Sequence, residues 1–99
     1  MLLKAGVDIS RLERNTRRGL QIVDDNFADQ NMEVIVTSTY EGNHKAGSLH
    51  YANRAFDIGL PNSGRSEFAK EIPEDLGDDF DFVVEFDHYH IEYDPKGER

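Results

Sequence analysis

The sequence predicts a small α+β domain, an N-terminal helix packed on a mostly antiparallel sheet with one open face. One amphipathic stripe at helical spacing comes first, short β-branched and aromatic runs follow it, and clusters of turn formers separate those runs. At 99 residues the chain fits one domain, residues 1–99, near the lower size at which a single core is self-sufficient. A bound metal would therefore contribute to folding as well as to reactivity.

From Asp8 or Ser10 to about Gln30, Leu12, Leu20, Val23 and Phe27 recur at helical spacing and Thr16 fills the gap in that stripe. The opening residues are good N-caps. Gly19 weakens the helix by roughly 1 kcal/mol relative to alanine, so it depends on tertiary packing. Asp29-Gln30-Asn31 reads as its end. Residues 32–40 carry Val34, Ile35, Val36, Thr37 and Thr39, a run too short for a second helix and rich in strand formers.

The segment Glu41-Gly42-Asn43-His44-Lys45-Ala46-Gly47 is a loop by composition, leading to Ser48 and His50. Ala55-Phe56-Asp57-Ile58 is a short strand, closed by the turn formers of Gly59 to Gly64. Ser66 is expected to cap a second helix through Phe68, Ala69 and Ile72, and Pro73 to kink it or start a new turn ending at Leu76-Gly77. Phe80 to Phe86 is a strand, with Tyr89 to Tyr93 its continuation or hairpin partner, and the tail from Asp94 is expected to fray. The sequence contains no internal repeat.

Composition narrows the chemistry. With no cysteine there is no disulfide, thiolate zinc site or cysteine nucleophile, which leaves histidine and carboxylate as the strong metal ligands. A formal charge of −9 argues against binding a nucleic-acid backbone, and against a nuclease, since phosphate work favours a basic surface. Arg11, Arg14, Arg17 and Arg18 read as a solvated helix face. No apolar run approaches a membrane span, and Met1 to Gly6 is too short for a secretory leader, so cytoplasmic synthesis is expected; a monomer is expected as well. The acidic run from Glu74 to Asp81 lacks the ligand order of an EF-hand loop and reads as a solvated turn.

Two places stand out chemically. Asp57 lies within an otherwise apolar triplet, and a carboxylate buried on a strand costs several kcal/mol unless a cation or hydrogen bonds compensate it. The competing reading has it facing solvent or paired with Arg54. Downstream, Glu85 with His88 and Asp87 with His90 form two overlapping pairs, each a carboxylate three residues before an imidazole. In a regular strand His88 and His90 share a face while Asp87 points away, so Asp87 reaches a metal held by His90 only where the chain bends. With His50 upstream, two imidazoles and a carboxylate make a three-ligand zinc site with a carboxylate base beside it.

The run Ser48-Leu49-His50-Tyr51-Ala52-Asn53-Arg54-Ala55-Phe56-Asp57 resembles the pattern Ser-x-His-x-x-Gly-Arg-Ala-x-Asp of the zinc DD-peptidases. That family, of the Hedgehog/DD-peptidase fold, includes D-Ala-D-Ala carboxypeptidases and dipeptidases and the L-alanyl-D-glutamate endopeptidases common among bacteriophage endolysins. Asp87-His88-Tyr89-His90-Ile91-Glu92 is similar to its closing motif, and Val36 to Tyr40 to the strand before the first motif. The likeness spans roughly Glu33 to Tyr93.

It implies His50, Asp57 and His90 as zinc ligands, Asp87 as general base, and Ser48 as a residue orienting ligand or substrate. The activity implied is zinc-dependent hydrolysis of a peptide bond in peptidoglycan stem peptides, with release to the cell wall by other means. Two departures bear on activity. Tyr40-Glu41 stands where many members have Tyr-Arg, leaving Lys45 or Arg54 to supply the positive charge, and Asn53 replaces a glycine. His88 is either a hydrogen-bonding group near the reaction centre or a strand surface residue. A non-catalytic metal-binding or structural module of the same fold, within a larger assembly such as a phage particle, is the alternative.

Overall fold

In the computed structural model, residues 1–40 and 52–95 are described. Seven elements follow one another among them: β1 (Leu2–Leu3), α1 (Arg14–Asp29), β2 (Ile35–Ser38), β3 (Ala55–Gly59), α2 (Arg65–Leu76), β4 (Phe80–Val84) and β5 (His88–Tyr93). The strands form one sheet in the order β1-β2-β3-β5-β4. β1 runs parallel to β2 and every other pairing is antiparallel. The expected α+β domain, a helix on a mostly antiparallel sheet, is the observed one.

Alternation along the strands sorts side chains between two faces. Val36, Phe56, Ile58, Tyr89 and Ile91 point to the helices and join Leu20, Val23 and Phe27 of α1 with Phe68, Ile72 and Leu76 of α2 in one core. The helices meet through Phe27 and Phe68, whose rings stack with centroids 4.5 Å apart. The intervening strand positions, Asp57, Asp81, Val83, His88, His90 and Glu92, face away from the helices. No helix among the described residues is long and apolar enough to cross a membrane.

Several local expectations need correction. α1 begins at Arg14, not at Asp8 or Ser10, because Asp8 is engaged in its own turn, accepting from Ser10 N–H at 2.8 Å. Glu13 caps the helix instead, its carboxylate accepting from Asn15 N–H at 2.7 Å. Its end lies where expected, with Asn31 in the left-handed region at φ 57°.

Ser66 is not the cap of α2. Gly64 precedes the helix at φ 69° with no side-chain cap, and the helix runs unbroken through Pro73 to Leu76. β1 has no counterpart in the sequence reading, and β2 and β4 are shorter than expected. The chain beyond β5 does not fray at once, for Asp94 N–H donates to the Asp79 carbonyl at 2.8 Å and Pro95 is buried.

Candidate metal site

β3 holds Asp57 between Phe56 and Ile58, both fully buried toward the core, so the alternation turns the carboxylate to the other face. It is only 9% exposed there. β5 runs antiparallel alongside, and its register sets His90 directly opposite Asp57. Such neighbours bring side chains of one face into contact. On the other side of β3, the register shifts between Val36 and Ser38, a bulge-like irregularity that sets Ser38 opposite Asp57.

The resulting contacts form a chain of polar groups. His90 Nδ1 lies 2.9 Å from Asp57 Oδ1, and His90 Nε2 lies 2.7 Å from Glu92 Oε1. Asp57 Oδ2 faces His88 Nε2 at 3.8 Å, and the other nitrogen of that ring, Nδ1, is 2.6 Å from Asp87 Oδ1. The buried Asp57 carboxylate is thus compensated by imidazole, as its place in an apolar strand demands. The hydrogen bond to Asp57 is the main cause that raises His90 above the ordinary histidine value of 6.5; burial opposes it and Glu92 adds to it.

Asp87 reaches this face because it does not lie in a strand. Glu85 N–H donates to the His88 carbonyl at 2.9 Å, which closes a tight turn with Phe86 and Asp87 at its tip. The chain does bend there, and the bend sets Asp87 against His88, 2.6 Å from its Nδ1. Arg54 has its guanidinium over the Tyr93 ring, 5.6 Å from the centroid. Asn53 takes the left-handed backbone, φ 59°, that a glycine would adopt freely. Lys45, Ser48 and His50, with Glu41 and His44, lie outside the described residues.

A second group adjoins the first. Asp81, Glu92 and Asp94 each offer an oxygen, and those oxygens lie within 4.8 Å of one another, a candidate acidic site for a metal ion. Sequence reasoning missed it. In the sequence Asp81 closes the acidic run from Glu74, and only the hairpin register, which pairs Asp81 with Glu92, brings it to this face. Counting outward from the Phe86-Asp87 tip would have found that pair.

Of the expected zinc ligands, Asp57 and His90 are of the donor types zinc takes, while His50 lies outside the described residues. Nitrogen and oxygen donors bound tetrahedrally at about 2.0–2.1 Å stand roughly 3.3–3.4 Å apart. The observed 2.9 Å between His90 and Asp57 opens to that value with a shift of a few tenths of an ångström. Comparison of the chain with protein-family models, with curated proteins and with solved structures returns no match.

Proposed function

We propose that this domain is a zinc-dependent peptidase of the DD-peptidase type, hydrolysing a D-Ala-D-Ala or L-Ala-D-Glu bond in peptidoglycan stem peptides. The observation that carries the reading is the cross-strand pair of Asp57 and His90, a buried carboxylate and an imidazole 2.9 Å apart on one sheet face. His50 would complete the ligand set. The DD-peptidase resemblance supports the same three residues.

Held by His50, Asp57 and His90, zinc would supply Lewis acidity toward a carbonyl and a water. The protein's own part is proton handling. Asp87, at the hairpin tip, takes a proton from the attacking water on a carboxylate oxygen and returns it to the leaving amine. His88 holds Asp87 through Nδ1 and faces Asp57 through Nε2, so it links the base to the ligand. Reaction through water needs no covalent intermediate.

A metal-binding module without turnover is the second reading, and the group of Asp81, Glu92 and Asp94 favours it, since carboxylates alone hold a hard cation and need no base. Metal binding is common to both. Zinc per chain, measured on purified protein, comes first, followed by release of amino groups from purified cell walls with and without a chelator. Chelator-sensitive release that disappears in Asp87→Ala supports the peptidase; stoichiometric metal without release supports the module.

A further inference from the structure

We propose that Glu92 is the positioning residue of this site: it accepts a hydrogen bond from His90 Nε2–H and so presents Nδ1 to an ion shared with Asp57. The inference rests on the zinc reading above and adds a residue to it.

An imidazole has two unlike nitrogens, and the hydrogen bond that one donates decides that the other keeps its lone pair and how the ring is turned. Here the two faces of the question are both visible. Nδ1 is turned to Asp57 at 2.9 Å and Nε2 to Glu92 at 2.7 Å, so the ring is gripped at both ends across the sheet face. Glu92 stands two residues beyond His90 on β5, hence on the same face, and its side chain is 23% exposed, which limits competition from water for the Nε2–H.

The carboxylates of Asp81 and Asp94, gathered within 4.8 Å, add negative potential at Glu92 and strengthen it as an acceptor. A carboxylate behind a metal-ligating histidine fixes ring orientation and raises the basicity of the ligating nitrogen. The opposite arrangement, with Nε2 on an ion among Asp81, Glu92 and Asp94, would leave Nδ1 to Asp57 as a simple hydrogen bond.

The full chain, labelled with 15N-histidine, tests this through its imidazole nitrogen shifts with and without zinc. The expected zinc-loaded spectrum shows His90 metallated at Nδ1 and protonated at Nε2; metallation at Nε2 overturns the proposal. Zinc affinity, measured by competition with a chromophoric chelator, should fall roughly 10- to 100-fold in Glu92→Ala. Glu92→Gln, which retains an acceptor oxygen without the charge, should recover most of that loss. Undiminished affinity in Glu92→Ala, or equal losses in both variants, overturns the role of Glu92 alone. An unaltered chain that takes up no zinc overturns the zinc reading with it. Unfolding midpoints of the metal-free variants separate a folding defect from a binding one, and the Gln variant keeps the test open if the Ala variant is poorly folded.

Discussion

Asp57 is 9% exposed, and its carboxylate oxygens face two imidazoles, His90 at 2.9 Å and His88 at 3.8 Å. A charged group in a strand whose neighbours are all buried has to find a partner, and that requirement was readable from Ala55-Phe56-Asp57-Ile58 alone. Spacing alone does not name the partner, because that depends on β5 lying beside β3; the family resemblance sets His90 with Asp57, and the register places the two opposite each other. Asp57→Ala should weaken zinc binding by more than the roughly 10- to 100-fold that loss of an outer partner costs, as read by chelator competition.

Asp8 gives a prediction of another kind. The Ser10 side chain, and then its backbone N–H, hold the Asp8 carboxyl below the ordinary aspartate value of 3.8. A depressed folded value means that the turn stabilises the native state above the unfolded value and loses that contribution as pH falls through the folded one. A 13C carboxyl titration should place Asp8 below 3.8, and Ser10→Ala should move it back up.

At the scale of elements, the helix stripe and the strand runs were legible while their ends were not. The stripe of Leu20, Val23 and Phe27 points into the core as its spacing requires. The start of α1 was misplaced because two good caps, Asp8 and Ser10, are engaged with each other in a turn. β1 was invisible because Leu2 and Leu3 are too few to show a period; only the parallel register with Ile35 and Val36 makes them a strand.

Gly19, a weak helix residue by propensity, is explained by a contact far along the chain. A Cβ there would stand 2.5 Å from the Phe80 ring of β4. Gly19→Ala should therefore destabilise the domain by about 1–2 kcal/mol despite its gain in helix propensity, as measured by chemical denaturation. Pro73 presents the reverse case. It interrupts the hydrogen bonding of α2 without stopping it, so Pro73→Ala should stabilise the domain by on the order of 1 kcal/mol in the same measurement.

For the molecule as a whole, a domain of this size is marginally stable, and a ligand that binds only the folded state shifts the balance. On the zinc reading proposed above, zinc in free excess at about 100 times its dissociation constant would add roughly 2.7 kcal/mol. For so small a domain that corresponds to a rise of about 10–20 °C in unfolding temperature, removable with a chelator and readable by calorimetry. Phe56→Ala, a fully buried truncation in β3, costs about 3–5 kcal/mol and should make the folded state dependent on zinc.

The strand order carries one more implication, for synthesis. β5 lies between β3 and β4, yet both of these precede it in the chain. A nascent polypeptide halted before His88 therefore has two strands that flank a vacant lane about 10 Å across, twice the usual spacing. Its edges are unsatisfied and sticky. Only the arrival of this late inner strand closes that lane, and the same strand carries His88, His90 and Glu92. Ribosome-arrested chains of increasing length should accordingly stay protease-sensitive until β5 has cleared the exit tunnel, then become resistant in a single step.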